Sequence, residues 1–332
     1  MSQQFIRRTR DVRLHAEDQL APAATRSATS TGRTRPEEPD RYRTDFQRDR
    51  DRIMHSKAFR RLKHKTSVWL NPEGDHFITR LTHTIQVTQV ARALAAGLGL
   101  NEPLAEAIAL GHDVGHSPFG HTGEDALEPY FADGWHHAAQ SVRVFEVLED
   151  LNLTWEVRDG IRAHSWKIDP PPATPEGSCV RFADRIAYLS HDVLDAVRAG
   201  VLREDELPAS VARTFGRAGS QMIGSMIEAV IDHSMSTGAV SMDPDQLETM
   251  HQLRDFMFAN VYFAAHQEDK KRMAIQVIRQ LVDHHLRHPD DLPSAFRETD
   301  DDLLIQVVDY VAGMTDRYAL TVHDRLFRPR LF

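Results

Sequence analysis

Apolar residues in this chain recur at the three-and-four spacing of helices, and the alternating spacing of strands is nearly absent. In HTIQVTQVARALAAGLGL, residues Val87, Val90, Ala91, Leu94 and Leu98 fall on one helical stripe, and Gly97 and Gly99 mark its end. Asn101 can cap the next helix, with Pro103 in its first turn and an apolar run from Leu104 to Leu110. Gly111, Gly115, Pro118 and Gly120 then break regularity, so residues 111–123 read as a helix end followed by a loop. Upstream, Ile53, Phe59 and Leu62 form a looser stripe across residues 46–65. Downstream, residues 137–149 and 155–165 are helical in pattern, 166–178 form a proline-rich loop, and a long helix runs from about Cys179 to Ala199, ended by Gly200. Further helices are expected near 205–216, 219–235, 246–264, 267–287 and 301–319. No repeat period is present. The expected class is all-α.

The 332 residues are ample for a buried core, and an apolar share of 41% argues against wholesale disorder. No apolar run approaches the roughly 18 residues of a membrane span. The start lacks an apolar stretch of signal-peptide length, and the single cysteine, Cys179, excludes a disulfide framework. A reducing cytoplasm is the expected compartment. The net charge of −9 is uneven: residues 1–66 carry 17 Lys and Arg against 9 Asp and Glu. A basic segment on an acidic body points to polyanion contact, including single-stranded nucleic acid, or to a subunit interface; charge alone favours a solvated arm. Residues 1–40, without an apolar period and rich in Ala, Ser, Thr, Arg and Pro, are expected to be a flexible basic arm.

Histidine directs the search for chemistry. There are 19, and nine lie between His55 and His137. Four residues could hold a metal: His83 at the opening of one helix, the adjacent pair His112 and Asp113 at the end of the next, and Asp184 within the long helix. Neighbours on a regular helix point about 100° apart, so His112 and Asp113 share an ion only at a helix end, where Gly111 and Gly115 let the backbone adjust. Two imidazoles and two carboxylates suit Mn, Fe, Co or Ni, tolerate Mg and can also take Zn. Beside them lie His116, four residues past His112, and His121 with Glu124, a histidine with a carboxylate to orient it, as a proton donor needs. A lone histidine is more often structural, and His191–Asp192 shows that His–Asp pairs arise by chance. The combination HDVGHSPFGHTGE is specific.

The runs RLTHTIQV, EAIALGHDVGHSPFGHTGEDAL, HHAAQSVRVFEVLE and DRIAYLSHDVLDAV, in this order, resemble the deoxyguanosine triphosphate triphosphohydrolase-like branch of the HD-domain phosphohydrolases. The upstream YRTDFQRDRDRIMHSKAFRRLKHKT and the tail DYVAGMTDRYAL resemble the same branch, so the likeness spans roughly residues 33–320. It implies an HD-domain helical bundle over residues 41–200 with additional C-terminal helices over 201–332 packed on it. It also implies one divalent ion (Mn, Mg, Co, Ni or Fe) held by His83, His112, Asp113 and Asp184. The implied reaction cleaves a deoxynucleoside triphosphate between the 5′ oxygen and the α-phosphorus, releasing a deoxynucleoside and tripolyphosphate. His121 would donate the proton to the leaving oxygen, with Glu124 holding its ring. His116, Arg80, His137 and Arg185 would contact the phosphates.

Asp184, Tyr188 and Asp192 are spaced i, i+4 and i+8 and so share roughly one helix face. By resemblance, Tyr188 would stack under the sugar and Asp192 would accept from the 3′-hydroxyl; from spacing alone Tyr188 reads as core. Ser67 stands where relatives usually carry a glutamine that helps read the 3′-hydroxyl, and its short side chain could act there only through water. Relatives assemble as dimers and larger rings, often hexamers, which places a homo-oligomer among the expectations and residues 41–65 at an interface or effector site. Two other readings compete. One is an HD phosphohydrolase acting on nucleoside monophosphates or other phosphate esters; the other is a nucleotide-binding or nucleic-acid-binding regulator that uses the basic arm.

Overall fold

The computed structural model describes residues 5–67, 78–262 and 268–328, apart from the side chain of Tyr262. Among the described residues there are helices and no strand, so the all-α expectation holds. The helices are α1 (Arg10–Ala16), α2 (Asp45–His55), α3 (Lys57–Arg61), α4 (Arg80–Gly97), α5 (Glu102–Gly111), α6 (His121–Leu127), α7 (His137–Arg143) and α8 (Trp155–Arg162). They continue as α9 (Pro175–Arg198), α10 (Ala209–Phe215), α11 (Ser220–Thr237), α12 (Pro244–Met257), α13 (Glu268–Arg287), α14 (Ser294–Arg297), α15 (Leu303–Ala312) and α16 (Asp316–Phe327).

Local chemistry explains most of these boundaries. The Thr79, Asn101 and Thr174 side chains accept from backbone N–H groups in the first turns of α4, α5 and α9, and Pro103 and Pro175 lie in those first turns where no N–H is needed. The stripe Val87, Val90, Ala91 and Leu94 on α4 is fully buried. It packs on α9 and α5, and those two also pack on each other. These three helices are the heart of the larger apolar cluster, which extends to Val261.

A second apolar cluster gathers α13, α15 and α16 and includes Phe119, Ala126, Leu127 and Trp135 from the middle of the chain. Helix α6 therefore rests on α13, whereas α4, α5 and α9 belong to the larger cluster.

Three expectations meet a different arrangement. Residues 17–33, expected in a flexible arm, lie against the body through buried carboxylates. Thr25 donates its N–H and hydroxyl to Glu176 at 3.0 and 2.7 Å, and Ser30 and Thr31 reach Glu156 at 2.7 and 2.6 Å. Arg33 pairs with Asp49, which also accepts from Thr154. Polar docking of this kind has no apolar period to betray it. The stripe over 46–65 is two helices, because Ser56 ends α2 and caps α3 by accepting from Phe59 N–H at 3.0 Å. The expected helix at 301–319 is also two, since Gly313 closes α15 and Thr315 caps α16.

The arginines of 41–65 are largely spent inside the chain. Arg43 pairs with Asp40 and Asp51, Arg48 and Arg52 pair with Glu37, and Arg50 pairs with Asp51 and Glu106. No helix among the described residues is long and apolar enough to cross a membrane.

Candidate metal centre

Where α4, α5 and α9 meet, each contributes to one cluster. His83 sits in the first turn of α4, one turn after Arg80. Helix α5 ends at Gly111, and His112 keeps helical angles as its cap, so His112 and Asp113 leave from the helix end. Asp184 projects from the middle of α9. His83 Nε2 stands 3.1 Å from Asp184 Oδ1 and 3.8 Å from Asp113 Oδ2. His112 Nε2 stands 3.4 Å from Asp113 Oδ1 and 3.8 Å from Asp184 Oδ1.

The His112 ring tests whether the cluster suits a cation. Its Nδ1 lies 2.7 Å from the Ala109 carbonyl, which can only accept, so Nδ1 carries the proton and Nε2 of the neutral ring carries a lone pair. That Nε2 is buried and has no hydrogen-bond partner among the described residues. An orphaned lone pair facing two carboxylates is costly without a cation between them, and a carbonyl partner on the far nitrogen is how ligating histidines are usually oriented. The group fits a divalent ion. Burial would raise Asp113, but His112, Arg80 and His116 outweigh it and hold its carboxyl well below the usual range. Asp184 is likewise held low, with the His83 hydrogen bond and the His112 charge overcoming burial.

A second set of groups adjoins the first. His121 Nδ1 lies 3.0 Å from Glu124 Oε2, and His137 Nδ1 lies 3.1 Å from Glu124 Oε1. Burial of Glu124 is outweighed by His137 and His121, so its carboxyl too sits well below the usual range. His121 is open, its side chain 72% exposed, whereas His116 and His137 are buried and stacked with centroids 3.7 Å apart. His116 Nε2 is 3.3 Å from Asp113 Oδ1, which ties the two sets together. Burial, then Arg80 and His137, push His116 well below its usual value.

The loop between α5 and α6 is held from outside. A Cβ on Gly115 would lie 2.2 Å from Ser141 N and 2.5 Å from His137 O, so only glycine lets α7 approach this closely. Gly115 N–H donates to Ser141 Oγ, which donates in turn to the His112 carbonyl at 2.7 Å. Phe119, at φ 65°, is fixed by its N–H bond to Asp316 Oδ1 at 2.9 Å, and Asp316 also takes the N–H and hydroxyl of Thr66. Buried Lys65 donates to the carbonyls of His116 and Ala312; burial and then Arg61 push it down to about 7.

The sequence-expected residues fall in three groups. His83, His112, Asp113, Asp184, His116, His121, Glu124 and His137 converge. Arg80 is committed to Asp113 at 2.6 Å, and its second guanidinium nitrogen reaches the Ser67 carbonyl at 3.4 Å. Arg185 lies over the Trp166 ring at 4.0 Å, with its buried Nε lacking a partner among the described residues. Tyr188 is mostly buried; burial, with Asp184 and Asp192 among nearby charges, pushes its hydroxyl up to about 12. Asp192 is buried on the same helix. One member escaped the sequence reading: His164, buried at the end of α8, with its Nε2 3.1 Å from that of His137. Its only sequence signal is that, like His112, it lies within two residues of a helix end.

An HD domain profile matches residues 80–189, and a phosphohydrolase-associated domain profile matches residues 240–325. An all-helical bundle presenting this His and Asp cluster within the first of these segments is an HD-domain phosphohydrolase, a hydrolase by class. The chain is 47% identical over 322 residues to a deoxyguanosinetriphosphate triphosphohydrolase-like protein of Caldanaerobacter subterraneus subsp. tengcongensis, covering 93% of each chain. It is 42% identical over 324 residues to a protein of the same description from Clostridium perfringens, covering 94% of this chain and 95% of that one. The chain belongs to the deoxyguanosinetriphosphate triphosphohydrolase-like family. A solved hypothetical protein from Aquifex aeolicus aligns over 86% of this chain and 69% of its own, at 20% identity and a TM-score of 0.47.

Proposed function

We propose that the chain hydrolyses deoxynucleoside triphosphates to a deoxynucleoside and tripolyphosphate, with one Mn-class divalent ion held by His83, His112, Asp113 and Asp184. The observation that carries this reading is the His121–Glu124 pair beside the metal cluster, because cleavage at a 5′ oxygen needs a proton donor as well as a cation. A divalent cation there supplies charge neutralisation at the phosphoryl oxygens and activates water.

The remaining work falls to side chains. Glu124 engages His121 Nδ1, which leaves Nε2 of an exposed ring to deliver a proton to the leaving 5′ oxygen. Glu124 simultaneously accepts the backbone N–H of His137 at 3.0 Å, so the donor is referenced to a buried helix start rather than to a mobile side chain. His116 and His137 offer ring edges to the phosphates. Arg80 balances Asp113 and offers a guanidinium beside it to an incoming anion. Tyr188 and Asp192 lie along α9 from Asp184 at the spacing of one face, in reach of a sugar whose phosphate sits at the cluster.

The test is to incubate the protein with the four deoxynucleoside triphosphates, singly and in pairs, with Mn or Mg, and to resolve the products. Intact tripolyphosphate with free deoxynucleoside is expected. Release of orthophosphate or pyrophosphate in its place overturns the reading and favours a phosphate-ester substrate.

A further inference from the structure

We propose that the cavity between α3, the turn at Val144–Leu148 and the α15–α16 corner binds a small tetrahedral dianion of the phosphate class. The cavity holds about 260 Å3, below the roughly 300–1,000 Å3 of sites that take drug-sized ligands, so it suits a free oxyanion rather than a nucleotide. It lies where the two apolar clusters meet, with Val144 and Leu148 from the larger and Phe296 from the smaller among its walls. Three cations line it. Lys57 and Arg61 stand one turn apart on α3, and Lys65 follows the next short turn.

These charges have too little to answer them. Two carboxylates line the same cavity, but Asp309 is taken by Arg143 at 2.7 Å, and Glu149 accepts the N–H groups of Lys57 and Ala58 at 2.8 and 2.7 Å. With Asp309 balanced by Arg143, three cations face one carboxylate, a surplus of two positive charges. The half-buried Arg61 side chain makes no hydrogen bond or ion pair among the described residues. Its guanidinium reaches the α15–α16 corner, where a Cβ on Gly313 would lie 3.3 Å from Nη1. Lys65, 2% exposed, spends two of its three donors on the carbonyls of His116 and Ala312. The two cations are close enough that Arg61, after burial, helps push the Lys65 ammonium down to about 7. A surplus of two positive charges calls for a dianion, and a guanidinium fork beside an ammonium matches the oxygens of a phosphate. The apolar walls strengthen that attraction by keeping bulk water back. Val114 and Gly115, which follow Asp113 in the chain, also line the cavity, so a bound anion braces the back of the loop that carries His116. The inference does not rest on the reaction proposed above.

The full chain is freed of phosphate, labelled orthophosphate is titrated in by equilibrium dialysis, and the melting temperature is followed in parallel. Phosphate at roughly ten to a hundred times its Kd should raise the melting temperature by about 3–5 °C, whereas chloride at equal ionic strength should not. Arg61→Met, which keeps a long side chain without its donors, should bind that phosphate about 10- to 100-fold more weakly. In phosphate-free buffer the same variant should melt no lower than the parent, since it loses no partner and removes a like charge from beside Lys65. Lys57→Met, at an exposed position, serves if Arg61→Met does not fold. Phosphate that stabilises the parent no more than chloride does overturns the proposal. So do variants that bind phosphate as tightly as the parent, a result that places the bound anion at the metal cluster instead.

Discussion

Asp316 lies about 200 residues from the loop it holds, and replacing it with alanine measures how far the C-terminal helices build the site. Its carboxylate accepts the Thr66 N–H at 3.0 Å, the Thr66 hydroxyl, and the Phe119 N–H at 2.9 Å. It also stands in the first turn of α16, where a negative charge is favoured. Hydrogen bonds to a charged group contribute about 1.5–3 kcal/mol each. Asp316 is only half-buried, so water would replace part of this, and the net loss for Asp316→Ala comes to about 2–4 kcal/mol. For a chain of this length, that lowers the melting temperature by roughly 4–8 °C at about 2 °C per kcal/mol. Turnover should fall further than stability suggests, because the released Phe119 holds a left-handed φ of 65° two residues before His121. Asp316→Asn keeps one acceptor oxygen and should lie between the two. Differential scanning calorimetry and initial rates at saturating substrate give both numbers. A melting temperature and rate equal to the parent's would refute the reasoning.

His121→Ala should cut turnover by about 10²–10⁴ while Mn content, measured by elemental analysis, stays at the parent level; an unimpaired rate would remove His121 as the donor. Asp113→Ala should lose bound metal, and dialysis against Mn2+ that restores the parent content would contradict its place as a ligand. Gly115→Ala drives a Cβ to 2.2 Å from the Ser141 backbone N and should destabilise by at least about 1–3 kcal/mol in urea denaturation, against an expectation of no change if α7 can simply shift. His285 is buried on α13 against the Tyr310 ring with neither ring nitrogen bonded among the described residues, and burial followed by the His284 charge pushes it down to about 4. A base with a depressed folded value stays neutral in the native state, so stability is whole above its unfolded value near 6.5 and is lost as pH falls toward 4, by up to about 1.4 kcal/mol per pH unit. His285→Leu should flatten that slope in denaturation series from pH 7 to 4.5, and an unchanged slope would clear His285 of the effect.

What was legible in the sequence is what repeats or clusters locally. The stripe on α4 and the Asn101 and Pro103 start of α5 are each set by neighbours within a turn or two, and the structure keeps them. The eight residues from His83 to Asp184 that now converge were readable because their chemistry is rare and their order resembles a known branch. The docking of residues 17–33 was not readable. Its bonds run from ordinary Ser, Thr and backbone groups to Glu156 and Glu176 over separations beyond 100 residues, and no local pattern encodes them. His164 was missed because its partner is a ring 27 residues away and its neighbours in sequence carry no motif. The break at Gly313 was hidden because apolar spacing continues through a corner that turns one helix into two.

That last corner also explains why the tail motif DYVAGMTDRYAL belongs with the site at all. Asp309 on α15 takes Gln140 at 2.7 Å and Arg143 at 2.7 Å from α7, the helix that carries His137. Asp316, one turn beyond Gly313, takes Phe119 from the loop that leads to His121. Gly313 sets these two carboxylates on separate helices, one gripping each wall of the histidine cluster. His83, His112, Asp113 and Asp184 ride on the larger apolar cluster, whereas His121 and Glu124 ride on α6, which packs on α13 in the smaller one. The spacing between the His121–Glu124 pair and the His and Asp cluster is thus set by how the two apolar clusters meet. A C-terminal substitution that loosens Asp309 or Asp316 should therefore lower turnover before it lowers metal affinity.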